Sequence, residues 1–213
     1  MKATSKADGR SARWDAHRLA RRAELVSAAM VAVERHGALV GMDQIAASAG
    51  TSKAVFYRHF ADKADLYRAV GQQLAQSLGD QLSARMSSQT DPRAMMAAGI
   101  DVYLSVLEHA PEVYRFVVHN PVVERAGGDP VGDYTQLISG RVSELINELF
   151  SQWPSQGPII RPWGSAIVGC VKAAGDWWLD NPDVMTRAEL TESLTTLLWG
   201  GGAGIQQLAE SAN

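Results

Sequence analysis

Apolar side chains return every three or four residues along nearly the whole chain, and no stretch shows the strict alternation of a half-buried strand. Leu19, Ala23, Val26, Met30 and Val33 repeat at spacings of 4, 3, 4 and 3, which predicts a first helix from about Asp15 to His36. Gly37 stands where a helix ends. In Met42 to Ala49, the residues Ile45, Ala46 and Ala49 give a short helix one apolar face. Gly50 then supplies the positive φ of a sharp turn, and Thr51 or Ser52 caps the helix that follows. In that helix, Lys53 to Phe60, the rings of Phe56 and Phe60 lie four apart and point inward. Lys53, Ala54, Tyr57 and Arg58 occupy the opposite side.

Asp62, with Asp65 three residues on, approaches a capping box. Leu66, Val70, Leu74, Leu78 and Leu82 then form one side of a long helix that fades near Ser87-Ser88-Gln89. Asp91-Pro92 is an N-cap followed by proline. The helix it opens carries Met96, Ile100, Tyr103 and Leu107 and ends before Pro111, which starts a shorter helix through Val118. Breaks at Asn120-Pro121, Gly127 to Pro130 and Trp153 to Pro158 bracket a helix from about Pro130 to Phe150.

Arg161 to Leu179 is predicted helical with two apolar stripes, Gly164, Ile167, Val171, Ala174, Trp178 and Trp163, Ala166, Cys170, Ala173, Trp177. Both must be covered, one by the protein's own core and one by a partner. A last helix, about Thr186 to Ala209, places Leu190, Leu194, Leu197, Gly201, Gly204 and Leu208 on one stripe. Its glycines each cost about 1 kcal/mol of helix propensity. They either admit a closely packed helix or, at Gly200 to Gly202, end this one. The pattern is all-α throughout.

Charge adds a direction to this string of helices. The net charge of the 213 residues is −3, but residues 1–68 carry +5 and residues 69–213 carry −8. A basic head on an acidic body concentrates phosphate affinity at one end. The first 14 residues hold Lys2, Lys6, Arg10 and Arg13 and read as a mobile polar arm. That arm is either merely solvated or, with Arg18, able to track phosphates or enter a minor groove. The chain's one cysteine, Cys170, sits among apolar residues and fits a buried inert thiol in a reducing cytoplasm. The N-terminus lacks the apolar segment of a signal peptide, and the most apolar stretch, Trp163 to Leu179, is broken by Lys172 and Asp176. A cytoplasmic protein without a membrane span is therefore expected.

Two short helices about a tight turn, the second with a cationic and phenolic front, have the geometry for a DNA groove. The run Ala49 to Leu66, and within it Tyr57, His59, Phe60, Lys63 and Leu66, resembles the DNA-binding signature of TetR-type transcriptional regulators. Phe56 stands where an aliphatic residue is commoner in that signature. The likeness covers roughly the first third of the chain. It implies an N-terminal three-helix helix-turn-helix domain, here residues 15–66 behind the arm of residues 1–14. A C-terminal helical domain for ligand binding and dimerisation, residues 67–213, would follow.

Candidate DNA contacts are Lys53, Ala54, Val55, Tyr57, Arg58, His59 and Lys63. Lys53 and Arg58 suit guanine edges. The resemblance assigns Tyr57, His59 and Lys63 mainly to phosphates, which position but do not specify. Lys63, in the first turn of its helix, adds an ammonium to the exposed amides there. The resemblance further implies a palindromic operator, a homodimer through the last two helices, a small-molecule effector and, by the family's habit, repression. Tyr103, Leu107, Phe116, Val117, Trp163, Cys170 and Trp177 are the candidate lining of the effector site. Their apolar character favours an apolar or amphipathic ligand, and the run Gly175 to Asp180 resembles actinobacterial lipid regulators, which implies a fatty acyl group or acyl thioester.

The competing classes are an all-α enzyme and a protein-binding adaptor that keeps the helix-turn-helix as scaffold. The chain has no Gly-x-Ser-x-Gly elbow, phosphate-cradling glycine loop, His-Glu-x-x-His or cysteine pair. Pro111 separates His109 from Glu112. No catalytic residue, cofactor or metal is therefore assigned. A steep fall of duplex affinity with salt would distinguish the regulator from both rivals.

Overall fold

The computed structural model describes the backbone of residues 5–118, 140 and 157–211 and the side-chain surroundings of residues 14, 16–118, 140 and 162–201. These residues form eight helices: α1 (Ser5–His36), α2 (Met42–Ser48), α3 (Lys53–His59), α4 (Lys63–Ser87), α5 (Pro92–His109), α6 (Pro111–Val118), α7 (Gly157–Asp180) and α8 (Arg187–Ser211). They contain no strand. The helix expected over Pro130 to Phe150 lies outside the described residues.

α1 packs on α2, α4 and α6, and α2 packs on α3. α4 continues from this head into the body, where it lies along α5, and α5 is flanked in turn by α6, α7 and α8. The domain boundary expected after residue 66 thus falls inside α4, whose Leu66, Val70, Leu74, Leu78 and Leu82 are all buried. No helix among the described residues is long and apolar enough to cross a membrane.

The local signals that set the ends of elements are realised in detail. Gly37 and Gly50 both have positive φ, at 87° and 64°, and no other described residue does. Of the two hydroxyls available, Ser52 caps α3, accepting from the Val55 N–H at 3.3 Å. Asp62 caps α4 through the Asp65 N–H at 2.7 Å, and Asp91 caps α5 through the Ala94 N–H at 2.8 Å.

Four boundaries or faces differ from expectation. α1 begins at Ser5 rather than near Asp15, so residues 5–14 of the expected arm are helical. Extending a formed helix requires no new nucleus, and Ala7, Arg10, Ala12 and Arg13 favour it. Leu19 and Ala23 are exposed, and the buried stripe of α1 is Leu25, Val26, Ala29, Ala32 and Val33, because only the second half of the helix is covered. α7 begins at Gly157, four residues before Arg161. Pro158 is tolerated because a first-turn N–H has no partner to lose, while Pro162 further in removes one helical bond. α8 runs through Gly200 to Gly202 without stopping, yet Leu197 and Gly201 of its expected packing stripe are exposed.

At Gly175, α7 comes close to α5. A Cβ there would lie 2.8 Å from Leu107 Cδ2 and 3.1 Å from Tyr103 Cε1. Both of those side chains are buried and cannot swing clear. Gly175→Val is therefore expected to destabilise the protein by about 1–3 kcal/mol, read as a lower urea midpoint at unchanged m-value.

Candidate nucleic-acid interface

The outward face of α3 is built from behind. Phe56 and Phe60 are fully buried, with ring centroids 4.8 Å apart, and fix the back of α3 against the head. The guanidinium of Arg22 on α1 lies 4.6 Å above the Phe60 ring and bonds Asp65 Oδ1 at 2.6 Å. Asp65 in turn accepts the Ala61 N–H at 3.2 Å, so one carboxylate joins α1 to the corner between α3 and α4. Burial pulls the Asp65 carboxyl up, but the bond from Arg22, the Ala61 amide and the charge of Arg68 on α4 together hold it below the usual carboxylate range.

With the back fixed, the front faces outward. Lys53, Ala54, Tyr57 and Arg58 are exposed, Val55 and His59 are half-buried, and Lys63 is half-buried at the start of α4. The structure thus groups the seven residues chosen from the sequence around α3 and the start of α4. The ammonium of Lys53 bonds Asp43 Oδ2 on α2 at 2.9 Å and lies 5.9 Å from the Tyr57 ring centroid. Asp43 raises the Lys53 pKa by that bond. The pair is too exposed to stabilise the fold much, but it presets where the ammonium points. Lys63 lies 5.4 Å from the Tyr67 ring centroid, and burial lowers its pKa.

Spacing along α3 gave no sign of Asp43, Arg22 or the cations of α1 as members of this surface. Their electrostatic reach is visible at His59. Burial first, and then the charges of Arg21, Arg58, Arg22 and Arg18, hold its imidazole below the ordinary histidine value of 6.5. The four arginines around His59 also give this end of the head a positive field, which attracts phosphates.

The candidate effector residues are more dispersed. Tyr103 and Leu107 are buried on α5 beneath Gly175 of α7. Phe116 and Val117 are buried on α6 toward α4, Phe116 with its ring centroid 4.0 Å from that of Tyr67 and Val117 beside Gly71. Trp163 and Cys170 are half-buried, and Trp177 is 47% exposed. Beside Tyr103 lies a polar chain that apolar periodicity does not reveal. The Tyr103 and Tyr114 hydroxyls are 3.0 Å apart, Tyr114 donates to Asp176 Oδ1 at 2.5 Å, and Lys172 bonds Asp176 Oδ2 at 2.6 Å. Burial pushes the Tyr114 hydroxyl far above its ordinary pKa, so it stays a donor. The i,i+4 spacing of Lys172 and Asp176 was the available clue. A separate open cleft of about 470 Å³ lies between α4, α5 and the start of α8, lined by Gln81, Arg85, Asp101, Ser105, His109 and Arg187 among others, and by none of the seven.

Comparison with known proteins agrees with this geometry at both ends of the chain. Residues 25–70 match the family described as bacterial regulatory proteins, tetR family, and residues 81–213 match a tetracyclin repressor-like C-terminal domain. An uncharacterized HTH-type transcriptional regulator of Mycobacterium tuberculosis is 34% identical over 209 residues, covering 98% of this chain and 88% of that one. The HTH-type transcriptional activator FasR of Mycolicibacterium smegmatis is 30% identical over 83% of this chain and 80% of its own. In fold, the chain is similar to the fatty acid degradation regulator FadR of Bacillus halodurans, with a TM-score of 0.68, 17% identity, and coverage of 84% and 97%. It is also similar to FadR of Bacillus subtilis in complex with stearoyl-CoA, with a TM-score of 0.67, 16% identity, and coverage of 82% and 96%.

The depressed pKa of His59 gives a pH prediction of definite sign. Folding favours its neutral form, so the linked stability is present above 6.5 and lost as the pH falls below that value. A bound phosphate would raise the same pKa, so duplex affinity should rise as the pH is lowered through the histidine range. Ring titration by NMR, free and with duplex, checks both halves. A His59 that titrates at or above the ordinary value when free would contradict them.

Proposed function

The chain belongs to the TetR family of bacterial regulatory proteins, and on that footing we propose that it binds a palindromic operator as a homodimer and leaves it when a small amphipathic effector binds the helical body. DNA-binding regulation itself follows from the family. The observation that carries the finer reading is the outward face of α3, with Lys53, Tyr57 and Arg58 exposed over a fully buried Phe56 and Phe60. One such helix reads few base pairs, so a two-fold pair is needed for affinity and sets the half-site spacing.

Support for the dimer comes from α7 and α8. Trp177 at 47%, Leu197 at 64% and Trp199 at 36% leave large apolar groups facing solvent, and Ala166, Ala173 and Gly201 are exposed as well. Apolar surface of this kind on two neighbouring helices of the chain suits a four-helix contact with a second copy. Sedimentation at micromolar concentration should give a dimer, and Trp177→Asp with Leu197→Asp a monomer of unchanged helicity. A wild-type monomer would refute the arrangement.

The effector class rests on two things. The candidate lining is apolar around Tyr103 and Leu107, with Tyr114, Asp176 and Lys172 as a polar end. One protein of similar fold is a complex with stearoyl-CoA. A fatty acyl chain or acyl thioester fits both. A thermal-shift comparison of long-chain acyl thioesters with polar metabolites tests it, and stabilisation by polar metabolites alone would end it. The sign of regulation has two readings. Repression is the one we adopt, and FasR, an activator by name, favours the other. A reporter fused to a bound promoter in cells with and without the protein decides between them.

The division of labour on α3 is testable by gel shift with salt titration. Tyr57→Ala and Lys63→Ala should weaken binding to all sequences, and Lys63→Ala should lower the salt slope by about 1. Arg58→Ala should lose about 1–3 kcal/mol of discrimination between operator and random DNA. Equal losses on both kinds of duplex for all three would refute it.

A further inference from the structure

α6 is held at both ends by charged side chains that its apolar packing does not require. In its first turn, Glu112 Oε2 accepts the Ala38 N–H at 2.7 Å, in the turn between α1 and α2. Glu34 Oε2, in the last turn of α1, accepts the Val113 N–H at 3.2 Å in return. Each carboxylate thus satisfies an amide that its own element leaves open. The turn begins at Gly37, whose φ of 87° favours glycine.

Arg115, one turn further along α6, carries the connection across. Its guanidinium bonds Glu112 Oε1 at 2.9 Å and donates to the carbonyl of Leu179 at 3.2 Å, with Asp180 Oδ1 at 3.6 Å. Leu179 and Asp180 are the last two residues of α7, where unpaired carbonyls welcome a cation. The side chains of Arg115 and Glu112 are 34% and 29% exposed, which leaves their attraction less screened than that of a surface pair. The two terminal nitrogens of the guanidinium take one acceptor each, a fixed fork that lysine's single nitrogen matches less well.

We propose that Glu112 and Arg115 are positioning residues that tie the end of α7 to the turn preceding α2, so that the outer face bearing Trp177 sets the pose of the reading head. The link's consequence for DNA rests on the function proposed above, but the link itself does not. Val113, Tyr114, Phe116, Val117 and Val118 are all buried and keep α6 seated without it. The two ends therefore communicate through a short, polar and removable path.

Hydrogen exchange on the full chain, without DNA, tests the link. Arg115→Met should accelerate exchange at Ala38 and in α2 by roughly fivefold or more, while amides in the middle of α4 stay unchanged. Glu112→Gln should do the same, and the double variant should exceed the larger single effect little, because both cut one path. Tyr114→Phe, which cuts the neighbouring contact to Asp176, should leave Ala38 and α2 unaffected. Should Arg115→Met fail to fold by circular dichroism, Arg115→Gln, which removes the charge and keeps a polar side chain, carries the same comparison. Changes confined to the end of α7 and to α6 itself, or additive effects in the double variant, would overturn the proposal. Failure to bind any duplex would overturn the proposed function and leave this result standing.

Discussion

Everything this protein can do at a duplex depends on the burial of two rings. Phe56 and Phe60 occupy one side of a seven-residue helix, too short to be stable by itself. Each contributes about 1.5–3 kcal/mol by leaving water, which decides that α3 exists and which way it faces. Arg22 then closes the site, its charge bound by Asp65 and its plane resting on Phe60. The polar front owes its exposure to that apolar back. The electrostatics of the front are secondary in energy but primary in direction, as the Asp43 carboxylate shows by holding Lys53 in place.

Much of this was legible from residue order. Caps at Asp62 and Asp91, glycines at positions 37 and 50, and the leucine ladder of α4 each act through near neighbours in sequence, so their spacing encodes their role. The exposed side of α3 was legible for the same reason, because one short helix carries it. What escaped was set by distant contact. Leu19 continues the apolar rhythm of α1, but no other helix covers that part of it, and periodicity records only what could be buried. The Arg22 to Asp65 bond spans 43 positions and the Glu112 to Ala38 bond 74. No spacing rule reaches so far.

The body shows a different limit. Its apolar residues were easy to find, yet being apolar does not tell core from cavity from interface. Tyr103 and Leu107 lie under Gly175, Phe116 against Tyr67, and Trp177 faces out, although all four looked alike in the sequence. The polar members beside them, Tyr114, Lys172 and Asp176, carry more information. Burying a charged pair with a hydroxyl is costly unless every partner is present, and here each has one. Such a set fixes the register of α7 against α6 more sharply than apolar packing could.

α4 belongs to head and body alike, and its 25 residues are unbroken from Lys63 to Ser87. At the usual rise such a rod is about 37 Å long. Tilting it by about 5° at the body end carries the other end through about 3 Å, close to one base-pair step. In the two-fold pair proposed above, a tilt of that size at the body end would shift each head by about one base-pair step against the groove it enters.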